Sequence, residues 1–170
     1  MNVIKAIREP LSDKNILNLL DGDCIILLYK DLINYNNIND LFKKSDNIII
    51  LYQTTCCYGH WVALINHNKH IEFFDSYGYA PEDEKQFMTK TWLIRSGQQE
   101  NYILNLLSTS YKKCIYNSML MQDKRPFVAT CGRHCVVRIK LKHMPLKKYQ
   151  KMLLQNGEFN SDFLVTYFTI

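Results

Sequence analysis

Residues 59–78 read Gly59-His60-Trp61-Val62-Ala63-Leu64-Ile65-Asn66-His67-Asn68-Lys69-His70-Ile71-Glu72-Phe73-Phe74-Asp75-Ser76-Tyr77-Gly78. An apolar stretch meets a polar turn, then a second apolar stretch ends on an acid. That is the pattern of two antiparallel strands and their connection. The strands are read as His60–Asn66 and His70–Asp75. With Asn66–Lys69 as the turn and His67 and Asn68 at its tip, His60 falls directly opposite Asp75, Val62 opposite Phe73 and Leu64 opposite Ile71. Opposed residues share a face, with Cβ atoms about 4.5–5.5 Å apart. An imidazole and a carboxylate therefore end an apolar stripe, where the acid can hold one ring nitrogen and stabilise an imidazolium. Taken alone, the pair reads equally well as two polar residues at the wet end of a hairpin.

The partner for such a base lies downstream, in Thr130-Cys131-Gly132-Arg133-His134-Cys135. Here a polar loop gives way to Val136, Val137, Ile139 and Leu141, so a helix is expected over Cys131–Leu141. A thiol at the first position of a helix sits over its positive end, which favours the thiolate. The N–H groups around Cys131 can serve an oxyanion hole, and Gly132 is expected to let a substrate backbone approach. Cys135, one turn on, shares the face of Ile139 and is read as a core thiol. His134 is read as a local cap or packing residue, His67 and His70 as exposed turn residues, and His143 as part of a basic stretch. Cys24, Cys56, Cys57 and Cys114 are read as small hydrophobes. Gln122 precedes the polar run Asp123-Lys124-Arg125-Pro126; its amide can donate to an oxyanion, although a lone glutamine there also reads as surface.

The rest of the chain predicts a mixed α+β fold with a mostly antiparallel central sheet flanked by helices. A capped helix is expected from Ser12 to near Gly22, and a strand or helical turn over Cys24–Tyr29. Asp31–Lys44 is polar, with Leu32, Ile33, Leu41 and Phe42 facing inward, and Asn47–Tyr52 is a strand. Pro81 with Glu82, Asp83 and Glu84 marks a helix start. Helix resumes over Gln98–Leu107, Cys114–Met121 is a strand, Pro145 opens a basic helix to about Leu154, and an amphipathic segment spans Ser161–Phe168.

The chain has 170 residues, 47% of them hydrophobic and 22% charged, and a net charge of +5. One domain over residues 1–170 is the simplest division, burying roughly 70% of the unfolded surface. Lysines scatter except around Lys140–Lys151, which reads as a solvated helix face; the alternative there is a weak nucleic-acid contact. Lys5, Arg8 and Glu9 interrupt any signal-peptide core, and no apolar run approaches the roughly 18 residues of a membrane span. The six cysteines have no framework-like spacing. A reduced, intracellular, non-membrane setting is expected. Heavy use of Asn, Ile, Lys and Tyr suggests an AT-rich coding genome.

The order His60, Asp75, Gln122, Cys131, with Trp61 after the histidine and Gly132 after the cysteine, resembles adenain, the adenovirus maturation protease, and the related peptidases that process ubiquitin-like modifiers such as SUMO. Within that family, Gly59-His60-Trp61, Phe73-Phe74-Asp75-Ser76-Tyr77-Gly78 and Thr130-Cys131-Gly132-Arg133-His134-Cys135 look most like the proteases of virophages and other large DNA viruses. The similarity spans roughly residues 48–140. It implies a papain-like fold of the adenain type and a cysteine endopeptidase that cleaves capsid or other virion precursors, in the virion or in the host cytoplasm or virus factory. It implies His60 as general base, Asp75 as its orienting acid, Gln122 as oxyanion donor, Cys131 as nucleophile and Trp61 as a shield; no cofactor is expected, while a peptide or DNA helper of the kind adenain uses is left open. The interval from Gln122 to Cys131 is long for the family, and Lys124–Phe127 is read as a substrate-facing rim.

Three rivals share the same residues. Cys56, Cys57 and His60 with Cys131, His134 and Cys135 could furnish four zinc ligands, although adjacent cysteines in extended backbone point opposite ways. A peptidase acting on ubiquitin-like modifiers would use the same catalytic set; a short chain with no appended targeting region favours the viral reading. A binding module built on Lys140–Lys151 leaves the ordered set unexplained.

Overall fold

The computed structural model describes residues 2–56, 58–155, 157 and 159–170. A five-stranded sheet runs in the order β1 (Ile25–Leu28), β2 (Asn47–Gln53), β3 (Gly59–Asn66), β4 (His70–Phe74) and β5 (Lys113–Tyr116). The central pairings β2–β3 and β3–β4 are antiparallel, and the edge pairings β1–β2 and β4–β5 are parallel. The helices are α1 (Val3–Ala6), α2 (Asp13–Leu19), α3 (Ile38–Leu41), α4 (Lys90–Arg95), α5 (Tyr102–Ser108), α6 (Cys131–Lys140), α7 (Leu146–Leu154) and α8 (Ser161–Tyr167), with 3-10 turns at Tyr29–Asn34 and Asp83–Phe87.

Side-chain alternation splits the sheet into two apolar faces. Trp61, Ala63, Ile65 and Phe74 pack with Ile16 of α2, Cys135, Val136 and Ile139 of α6, Tyr149 and Leu153 of α7 and Val165 of α8. Val62, Leu64, Ile71 and Phe73 pack instead with Tyr29, Leu32, Ile38, Leu41 and the α5 residues Ile103 and Leu106. The buried strand residues are worth about 1.5–3 kcal/mol each for a Val, Leu, Ile or Phe. One charged pair ties the first face together: Arg138 of α6 donates through Nε to Glu72 Oε1 at 2.6 Å and through Nη2 to Oε2 at 2.8 Å. Both side chains are fully buried, so α6 is bolted to β4 by a bidentate bond.

The hairpin register differs from the expected one by two residues. Ala63 pairs with Phe74, Leu64 with Phe73, Ile65 with Glu72 and Asn66 with Ile71, and His67 N–H closes the turn on the His70 carbonyl at 2.9 Å. The tip is therefore Asn68-Lys69, and Asp75 does not lie directly across from His60. A slip of two keeps every side chain on its own face, so the apolar pattern cannot register it.

Other boundaries move for local reasons. The expected strand Cys114–Met121 stops at Tyr116, because Asn117 turns its side chain onto the backbone: Nδ2 donates to the Asp75 carbonyl, and Oδ1 accepts from Met119 N–H at 3.1 Å. Pro81 leads into the short 3-10 turn Asp83–Phe87 rather than into an α-helix. Glu82 adopts a left-handed φ of 77°, and its Oε1 instead accepts the N–H groups of Ile103 and Leu104 at 2.9 and 3.2 Å, capping α5 from outside. Gln98 lies outside that helix, buried and bonded to both backbone groups of Gln53. Ile33 is exposed rather than inward. No helix among the described residues is long and apolar enough to cross a membrane.

Candidate active site

His60 is the second residue of β3, and Asp75 follows the last residue of β4. Although they are diagonal rather than opposed, His60 Nε2 lies 2.9 Å from Asp75 Oδ1, and both residues are buried. Asp75 Oδ1 also accepts Tyr77 N–H at 2.7 Å, which sets the carboxylate plane by a tight turn. That turn needs its glycine: Gly78 has a φ of +78°, and a Cβ there would meet the Met119 backbone at 2.7 Å. The Tyr77 ring then lies on the His60 ring, with centroids 4.5 Å apart and planes within 12°.

Cys131 is the first residue of α6 and is buried. Its thiol lines the same cleft as the His60 ring and acts electrostatically on it. Burial penalises the charged imidazole, yet the charge and hydrogen bond of Asp75, joined by the influence of the nearby Cys131, outweigh it. The His60 pKa is held well above the ordinary histidine value.

Gln122 is buried in the same cleft, of about 360 Å³, which His60, Tyr77, Glu84 and Cys131 also line. Its position is specified twice by Ser76, whose carbonyl accepts Gln122 N–H at 3.0 Å and whose Oγ donates to Gln122 Oε1 at 2.8 Å. That leaves Nε2 as the donor end, and it donates to Tyr77 Oη and to the Val128 carbonyl, each at 3.3 Å. The fold thus brings all four residues of the sequence reading to one place. Pro126 of the expected rim does line the cleft, and Lys124 Nζ donates to Tyr79 Oη at 2.6 Å beside it.

The expected role of Gly132 is corrected, and the place of Trp61 shows why. Trp61 alternates to the face opposite His60 and is buried under α6, its Nε1–H donating to the Leu11 carbonyl at 3.2 Å. Gly132 makes room for that ring: a Cβ would meet Trp61 Cδ1 at 3.1 Å and Leu11 Cβ at 3.3 Å. Its small size therefore serves packing. Cys135 is a core thiol as expected, donating to the Trp61 carbonyl at 3.4 Å, and burial pushes its pKa well up. His67 and His70 are half-buried rather than exposed, stacked with centroids 4.4 Å apart.

The cysteines and histidines weighed as zinc ligands do not gather. Cys56 is exposed, Cys135 turns to a carbonyl and His134 turns to Asp162 at 3.1 Å; Cys57 lies outside the described residues. Among the described residues, the groups whose ligand atoms lie within 4.8 Å of one another are His67, His70, Glu72 and His60, Asp75, Glu84.

Two residues of the site carried no legible signal in the sequence. Asp162, on α8, accepts Asp123 N–H on Oδ2 and Thr130 Oγ–H on Oδ1. One carboxylate therefore anchors both ends of the segment joining Gln122 to Cys131. Glu84 belonged to an acidic run that reads as helix-start chemistry, yet it is 6% exposed and faces the cleft.

No model of a known protein family matches the chain. Protein V9 of Sputnik virophage is 34% identical over 167 residues, covering 96% of this chain and 95% of V9. Among solved structures, the ASFV pS273R protease superposes with a TM-score of 0.52 at 13% identity, over 97% of this chain and 68% of that one. The SUMO protease Ulp1 superposes more loosely, with a TM-score of 0.45 at 15% identity, over 97% of this chain and 76% of its own. The α+β fold is thus the one seen in the ASFV pS273R protease, and by its sequence the chain belongs to the family of the Sputnik virophage protein V9.

Proposed function

We propose that this chain is a cysteine endopeptidase that cleaves capsid or other virion precursor proteins. The observation that carries the reading is the position of the His60 imidazole, bonded to Asp75 and sharing one cleft with Cys131 at the start of a helix. His60 takes the Cys131 proton, and Asp75 holds the ring and stabilises the imidazolium. The thiolate attacks the scissile carbonyl, and Gln122 Nε2 with backbone N–H groups at the helix start receives the oxyanion. The imidazolium then protonates the departing amine, and water hydrolyses the thioester. Kinship with a virophage protein and the fold of a viral protease support the virion substrate.

The test is incubation of the wild-type chain and of Cys131→Ala with virion precursor proteins and, separately, with ubiquitin-like modifier fusions, mapping new termini by mass spectrometry. Cleavage of the precursors by wild type alone is expected. Cleavage restricted to the fusions would reassign the substrate, and equal activity of Cys131→Ala would remove the nucleophile.

A further inference from the structure

The mechanism above leaves one buried acid of the cleft unused. Glu84 sits on the 3-10 turn Asp83–Phe87, and its Oε2 has no hydrogen-bond partner in the protein. Facing it, Asp75 Oδ2 is also buried without one. Ligand atoms of Glu84, Asp75 and His60 lie within 4.8 Å of one another. The turn is fixed from behind, because Lys85 Nζ is bonded to Glu82 at 2.9 Å and to the Glu100 carbonyl at 2.9 Å. Glu84 is thereby presented to the histidine and not to solvent.

Resting on the peptidase reading, we propose that Glu84 is a second acid beside the His60 imidazole: a positioning residue whose ionised carboxylate stabilises the imidazolium charge through space and whose protonated form withdraws that support. The charged and titratable groups around it are His60 from β3, Asp75 beyond β4, Tyr77 from the following turn and Lys124 from the loop before α6, with Cys131 of α6, Arg8 and Tyr58 lining the same cleft. Burial foremost, and the Asp75 charge, raise the Glu84 pKa to about 7 against the opposing pull of His60 and Lys124. Two carboxyls that share one site cannot both ionise freely. As pH rises through neutrality the Glu84 proton leaves to water in the cleft, and the imidazole then faces two anions in place of one.

Glu84→Gln keeps the shape and removes the charge. We expect its thermal midpoint to match wild type, while the His60 titration, followed by ¹⁵N NMR of the ring, moves down by about one pH unit. Iodoacetamide labelling of Cys131 should lose the component that rises near pH 7, and Glu84→Asp should restore part of it. An unaltered His60 titration in Glu84→Gln overturns the assignment. Slow labelling of Cys131 in wild type at every pH would instead overturn the thiolate–imidazolium pair of the peptidase reading, and the His60 titration still judges Glu84 on its own.

Discussion

The Asp162 carboxylate accepts the Asp123 backbone N–H at 2.9 Å, so the last helix holds the residue that follows Gln122. Its other oxygen takes the Thr130 hydroxyl and lies 3.1 Å from His134 Nε2. The His134 and Thr130 hydrogen bonds outweigh burial and keep the Asp162 pKa below the usual carboxylate value. The amide donor and the thiol thus depend on one anion for their relative placement. Asp162→Ala should lower kcat with little change in KM, and should destabilise the chain by about 1.5–3 kcal/mol, the worth of a hydrogen bond to a charged group. Parallel kinetics and urea melts check this; wild-type values in both would detach α8 from the site.

Gln122 presents Nε2 because Ser76 occupies its carbonyl end. Gln122→Ala should therefore reduce kcat by about 10²–10³-fold and leave KM near wild type. Ser76→Ala, which frees the amide to rotate, should give a smaller loss in the same direction. A Gln122→Ala enzyme with full kcat would leave the oxyanion to backbone donors.

The parts legible in the sequence were those that periodicity or a local signal determines. Two apolar runs, in residues 60–66 and 70–75, on either side of a polar turn marked two strands, and the switch from polar loop to apolar helix marked Cys131 as a helix start. The register was not legible, because a two-residue slip leaves Val62, Leu64, Ile71 and Phe73 on the same face. Asn117 ended a strand by side-chain bonding that β propensity does not weigh. Glu84 and Asp162 were invisible for a different reason. Their partners lie far away along the chain, so nothing near either residue marks it; only the packed sheet and helices bring them to the cleft.

The acid behind His60 sets the pH range of the chemistry. With the His60 pKa raised, the imidazolium persists through neutrality and is lost only as pH rises through that elevated value. Its contribution to folding has the same sign, being complete below the ordinary histidine pKa of about 6.5 and fading above the folded one. Asp75→Asn keeps an acceptor for Tyr77 N–H but removes the charge. It should slow kcat by up to about 10⁴-fold and move the alkaline limb of kcat/KM to lower pH. A limb that stays in place would mean that Asp75 does not hold the imidazolium.

The Arg138–Glu72 pair carries the nucleophile helix to the sheet, and its energetics separate position from charge. Arg138 also donates to the Leu141 carbonyl at 2.8 Å and lies 5.0 Å from the Tyr149 ring centroid, so its loss empties several contacts together. Glu72→Gln leaves a buried guanidinium without its counter-charge and should destabilise folding by about 3–5 kcal/mol. The double variant Glu72→Leu with Arg138→Met removes both charges, and should recover most of that loss, since a buried ion pair and a well-packed apolar pair are often close in stability. Urea midpoints of the two variants decide it. A single variant as stable as wild type would show that α6 is held by its apolar face alone, with the buried charges contributing little to where Cys131 sits.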